Sequence, residues 1–162
     1  MTADFQRLVE ALAANQVRYV IVGGVALVLH GSARTTGDLD ICYARDQENL
    51  EALAAALAPL HPTLRGAPAD LPFRIDAATL RSGLNFTLES KAGDVDLLGE
   101  LTGVGGYEQL APDADIMDLY GHPVRVMNLD ALEAAKRAAG RLKDLADLAE
   151  ILEIRRRRGE RE

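Results

Sequence analysis

The chain has 162 residues, a net charge of −7 at pH 7, 48% apolar residues and 4% aromatics, which suits one domain of ordinary size with a proper core. No segment approaches the roughly 18 consecutive apolar residues of a membrane-spanning helix, and one cysteine, Cys42, excludes an internal disulfide and a multi-cysteine zinc site. No basic stretch followed by an apolar one opens the sequence, so it predicts a cytoplasmic protein with no membrane partner.

Charge is unevenly spread. Five arginines (Arg155, Arg156, Arg157, Arg158 and Arg161) and two glutamates give residues 155–162 a local +3, leaving −10 for the rest of the chain. An acidic body argues against tight, non-specific binding to nucleic acid. The basic tail reads as a solvated helix end whose cations favour the C-terminal dipole.

Residues 2–15 place Phe5, Leu8, Val9 and Leu12 at helical spacing, with Thr2 or Asp4 as the starting cap. A strand over Arg18–Val22 follows and ends in Gly23-Gly24, which opens a short buried helix over Val25–His30. His30, alone at a helix end, reads as structural. After the polar turn from Gly31 to Gly37 comes a second strand that begins Asp38-Leu39-Asp40-Ile41.

Alternate side chains of a strand share a face, so Asp38 and Asp40 point one way while Leu39 and Ile41 point into the core. Two carboxylates so placed repel each other unless a cation lies between them. Hard oxygen donors of this kind suit Mg2+ or Mn2+ better than zinc. Gly23 and Gly24 lack a Cβ and allow close approach of a phosphate, and Ser32, Arg34 and Thr35 supply donors nearby. Strand, glycine pair, short helix, turn and acidic strand in that order suit a site for a metal-bound nucleoside triphosphate. Cys42, two residues after Asp40, reads as a packed thiol.

Asp46–Leu57 forms an amphipathic helix capped by Asp46, with Leu50, Leu53 and Leu57 on one face. Pro59, Pro62, Pro68 and Pro72 punctuate the loop-rich stretch that follows, which reads as the carrier of substrate contacts. Asp76–Ser82 reads as a short helix. Leu84, Phe86 and Leu88 alternate with Asn85, Thr87 and Glu89, and Lys91-Ala92-Gly93 turns into Asp94-Val95-Asp96, a hairpin that sets Asp94 and Asp96 on one face. Asp94 abuts the turn, whereas Asp96 lies within the apolar run.

The glycine-rich stretch from Gly99 to Gly106 reads as a mobile connection bordering the pocket. Ile116–Tyr120 and Val124–Met127 flank Gly121-His122-Pro123 as a second hairpin, with Tyr120 and His122 as surface or packing residues. Asn128 or Asp130 caps a helix that Gly140 ends after Ala139. The last helix runs from Lys143 to Arg156, with Leu145, Leu148, Ile151, Leu152 and Arg155 along one side.

Apolar-Gly23-Gly24, a thirteen-residue spacer and Asp38-Leu39-Asp40-Ile41 resemble the signature of the nucleotidyltransferase superfamily typified by DNA polymerase beta. The longer string HGSARTTGDLDI resembles the branch of AbiEii-type toxins and small bacterial nucleotidyltransferases, as does AKRAAGRLKDLADLAEIL near the C-terminus. The resemblance implies an α+β nucleotidyltransferase fold: a mixed β-sheet with helices packed on it and a C-terminal helical segment. It implies one domain over 1–162, with an α/β catalytic core in 1–127 and C-terminal helices in 128–158.

In that family a third catalytic carboxylate sits on a strand beside the Asp-x-Asp strand, a place that falls to Asp96, with Asp94 as the alternative. Lys136, Arg141 and Lys143 would neutralise triphosphate charge, with Asp144 holding Lys143 or Arg141. The implied activity is transfer of an NMP from an NTP to a hydroxyl of RNA or tRNA, a protein or a small molecule such as an antibiotic. Mg2+ or Mn2+ would be held by Asp38, Asp40 and Asp96, and an antitoxin could be the partner. A nucleotide-binding or partner-binding module that keeps the fold without turnover is the alternative, although a degenerate copy would be expected to lose at least one carboxylate.

Overall fold

The computed structural model describes residues 4–68 and 70–159. Fourteen regular elements follow one another along them. Helix α1 (Phe5–Ala14), strand β1 (Tyr19–Val22), helix α2 (Gly23–Leu29), strand β2 (Asp38–Tyr43) and helix α3 (Gln47–Leu57) come first. A short edge strand β3 (Thr63–Leu64), helix α4 (Ala77–Ser82) and the hairpin β4 (Asn85–Ser90) and β5 (Gly93–Leu98) follow. Helix α5 (Tyr107–Leu110), a second hairpin of β6 (Asp115–Leu119) and β7 (His122–Val126), and helices α6 (Leu129–Ala139) and α7 (Leu142–Arg157) complete the order.

The helix starts obey local capping chemistry. Asp4, Asp46, Asp76 and Asn128 each accept a hydrogen bond from the backbone N–H three residues on, at 3.0, 3.3, 2.8 and 2.7 Å. Asp4 is thus the first cap, and Thr2, its alternative, lies outside the described residues, as does Arg161. Gly140, left-handed at φ +61°, terminates α6.

The strands form one mixed seven-stranded sheet in the order β3-β4-β5-β2-β1-β7-β6. β2 runs antiparallel to β1 and parallel to β5, while β1 runs parallel to β7. Helices are packed on the sheet, and the core includes Leu8 and Leu12 of α1, Leu50, Leu53 and Leu57 of α3, and the strand residues Ile21, Leu39, Ile41 and Leu97. Leu39 and Ile41 are buried as expected, and Cys42 is a packed thiol whose pKa burial pushes up to about 12. No helix of the described residues is long and apolar enough to cross a membrane.

Two expectations need correction, and one unassigned stretch is ordered. Helix α2 begins at Gly23 itself and includes both glycines. Residues 107–113, for which the sequence suggests no element, form α5 and a 3-10 turn. The other correction concerns α7, whose buried side is made by Asp144, Asp147, Ile151 and Ile154, whereas Leu145 and Leu152 face solvent. Leucine spacing places Ile151 correctly but misplaces Leu145 and Leu152, because the two aspartates are neutralised by Arg34, Lys136 and Arg141 and enter the interior as ion pairs.

Candidate active site

The parallel pairing of β2 with β5 builds the site. It sets Asp38 opposite Asp94 and Asp40 opposite Asp96, so four carboxylates stand on one face of two central strands. Oxygens of Asp38, Asp40 and Asp96 all lie within 4.8 Å of one another. Burial, with Asp38 and Asp96 beside it, pushes the Asp40 carboxyl up to about 8. Burial also raises Asp96, against the opposing pull of the Arg65 guanidinium.

Oδ1 of Asp40 is buried and has no hydrogen-bond partner in the protein. A buried, unsatisfied carboxylate oxygen between two other carboxylates is costly unless a cation takes it. The three residues therefore fit a hard divalent cation with oxygen ligands.

A cavity of about 590 Å³ opens from Asp40. Gly23 and Gly24 form part of its wall, Leu98, Leu101, Met127 and Leu132 give it an apolar side, and Lys136, Arg141 and Lys143 supply positive charge. Glu100, Leu101 and Thr102 bring the glycine-rich connection to its rim, the position expected for that stretch.

The glycines are explained first by protein neighbours. A Cβ on Gly23, which has φ +67°, would stand 2.3 Å from Oδ2 of Asp40, and one on Gly24 would stand 3.0 Å from Oγ1 of Thr36. Gly23 lets the helix start lie directly against the second acid of the motif.

Two of the three expected cations, Lys136 and Arg141, are held by acids of α7. Nζ of Lys136 lies 2.8 Å from Asp147 and 3.6 Å from Asp144, and Nε of Arg141 donates to Asp144 at 2.8 Å. Asp144 thus holds Arg141 and Lys136, and its own pKa is drawn down to about 2, chiefly by the hydrogen bond from Arg141. Lys143 lines the cavity and forms no ion pair with Asp144 among the described residues.

Ser32, Arg34 and Thr35 are placed elsewhere. Oγ of Ser32 donates to Glu150 at 2.6 Å, and Arg34 donates to Asp147 and Glu150. Thr35 is exposed, and none of the three lines the cavity. Their turn is a tether for α7. His30 is buried with Nε2 2.8 Å from the Met127 carbonyl oxygen, consistent with a structural part.

Sequence reasoning missed Arg65. It follows β3 in the proline-rich stretch, and its Nη2 donates to Oδ1 of Asp96 at 2.7 Å while Nε lies 3.4 Å from Oδ2 of Asp94. Nothing local marks it, because its partners come from β5 after an intervening helix and hairpin strand.

No family model and no curated protein matches the sequence. Two structures of ANT(2'')-Ia do match: a solution structure of this antibiotic-resistance factor and a crystal structure of its complex with adenylyl-2''-tobramycin. Both give a TM-score of 0.56 at 15% identity, over 91% of this chain and 80% and 84% of the respective neighbour chains. The fold is the nucleotidyltransferase fold. At 15% identity the likeness is one of architecture, and the α+β expectation with its mixed sheet and packed helices is met.

Proposed function

We propose that the chain is a metal-dependent nucleotidyltransferase that moves an NMP from an NTP to a hydroxyl acceptor. The observation that carries this reading is the convergence of Asp38, Asp40 and Asp96, of which Asp40 lines a cavity that Lys136, Arg141 and Lys143 also line. Acidic and basic groups on one cavity suit a metal-bound triphosphate. We assign the catalytic core to 1–127 and the cation-bearing helical part to 128–158.

Asp38, Asp40 and Asp96 would hold Mg2+ or Mn2+, which supplies Lewis-acid polarisation of the α-phosphate. Gly23 and Gly24 keep the wall beside Asp40 low enough for a phosphate to pass. The apolar side of Leu98, Leu101, Met127 and Leu132 accepts the nucleobase. Asp96, within 4.8 Å of the other two acids, takes the proton of the acceptor hydroxyl as that oxygen forms its bond to the α-phosphorus. The bond from the α-phosphorus to the bridging oxygen breaks, and Lys136, Arg141 and Lys143 stabilise the departing pyrophosphate. Ser32 and Arg34 serve at one remove by fixing α7, which in turn sets these cations.

For the acceptor, the adenylyl-2''-tobramycin held by the structural neighbour favours a small polyhydroxylated molecule. RNA, tRNA or a protein hydroxyl are the other classes to be screened. The AbiEii-like strings support a further reading, that the chain acts as a toxin restrained by an antitoxin in the cytoplasm.

Thermal unfolding of wild type and Asp38→Ala/Asp40→Ala with each NTP, with and without Mg2+ or Mn2+, tests the proposal. A metal-dependent rise with one nucleotide, lost in the double variant, is expected and names the donor. Unchanged melting of the wild type under every condition would overturn the reading.

A further inference from the structure

Arg65 stands among the acids of the site without belonging to either of their strands. Its backbone N–H donates to the Thr87 carbonyl oxygen at 2.9 Å, and Nη2 donates to the Leu88 carbonyl oxygen at 2.8 Å, so the guanidinium is fixed against β4. From there Nη2 grips Oδ1 of Asp96 at 2.7 Å, and Nε faces Oδ2 of Asp94 at 3.4 Å without hydrogen-bond geometry. Arg65, Asp94 and Asp96 are each about three-quarters or more buried, with side-chain exposures of 26%, 19% and 21%.

We propose that Arg65 is the resident counter-ion of the carboxylate cluster, one that competes with the divalent cation for Asp96 and so makes metal entry depend on the nucleotide. The inference rests on the reading of Asp38, Asp40 and Asp96 as metal ligands.

Two physical effects act in the same direction. The guanidinium already occupies an oxygen of the third acid, and its positive charge opposes a second cation at short range in a partly desolvated site. A triphosphate brings its own negative charge and offsets that opposition, so metal and nucleotide enter together. Asp94 then has a part distinct from its neighbour two residues on. Paired in register with Asp38 and facing Nε of Arg65, it seats the guanidinium rather than the metal.

The test is titration of Mn2+, followed by the loss of its free-ion paramagnetic resonance signal, into wild type, Arg65→Gln and Arg65→Lys, with and without a non-hydrolysable NTP analogue. Thermal unfolding of the metal-free proteins runs alongside. Arg65→Gln is expected to bind Mn2+ alone about tenfold more tightly than wild type and to unfold at lower temperature when metal-free. Wild type is expected to approach the variant's Mn2+ affinity only with the analogue present.

Arg65→Lys keeps the charge but loses the two-pronged geometry, and an intermediate affinity is expected. It also carries the test if Arg65→Gln does not fold. Mn2+ affinity that is unchanged or weaker in the variants, with metal-free stability alone reduced, would show a merely structural arginine and overturn the proposal. If neither wild type nor variant takes up Mn2+ with any nucleotide, the metal-site reading itself falls, a result distinct from the first because all proteins are then silent.

Discussion

Oδ2 of Asp40 lies where the first atom of a side chain on residue 23 would have to stand, 2.3 Å from an ideal Cβ on Gly23. The glycine is required twice, since its φ of +67° is also one that side-chain-bearing residues rarely adopt. Gly23→Ala must therefore displace the carboxylate or rebuild the helix start. A loss of roughly 1–3 kcal/mol in stability is expected, readable by denaturant unfolding, together with loss of nucleotidyl transfer. Wild-type transfer by Gly23→Ala would detach Asp40's position from the activity.

Asp40 predicts an unusual pH dependence in metal-free protein. Its carboxyl titrates near 8 in the folded chain against 3.8 ordinarily. Below about pH 4 both states carry the proton and nothing is lost. Between those values the unfolded chain releases the proton and the folded one keeps it, so stability falls as pH rises. Asp40→Asn removes this, and its metal-free melting temperature should exceed that of wild type most at pH 8, by an amount corresponding to about 1–3 kcal/mol, while transfer activity is lost. A variant less stable than wild type at pH 8 would show that the carboxylate is not a liability there.

Lys143 offers the cleanest separation of binding from folding. It is exposed at the cavity wall and has no ion-pair partner among the described residues, unlike Lys136 and Arg141. Lys143→Ala should leave stability within about 0.5 kcal/mol and weaken NTP binding by about five- to tenfold, measured by isothermal titration in the presence of Mg2+. Unchanged affinity would remove Lys143 from the nucleotide site.

The two sides of α7 should respond oppositely to truncation. Ile151 is fully buried and Leu145 is 61% exposed. Ile151→Ala is expected to cost about 2–4 kcal/mol, and Leu145→Ala less than about 0.5 kcal/mol, by urea denaturation. Equal costs would mean that the leucine side is covered in solution.

Local chemistry was legible wherever the determinants lie close in sequence. The caps at Asp4 and Asp46, the stop at Gly140 and both hairpins depend on residues a few positions apart. The pairing of β2 with β5, which places Asp96 beside Asp40, followed from family likeness and not from periodicity. Arg65, and the engagement of Ser32 and Arg34 with Glu150, were hidden because each joins segments with no shared pattern. The face of α7 was legible only at Ile151 for the same reason, since Asp147 is admitted to the interior by Lys136 and Arg34, which lie outside the helix.

The parallel ladder between β2 and β5 also ties the assembly of the acid cluster to long-range strand pairing. These strands are separated in sequence by α3, β3, α4 and β4, so the ladder closes a non-local contact of the slow kind. A slip of one residue would send Asp96 to the opposite face of the sheet. The register of this one ladder therefore decides whether the three acids can meet.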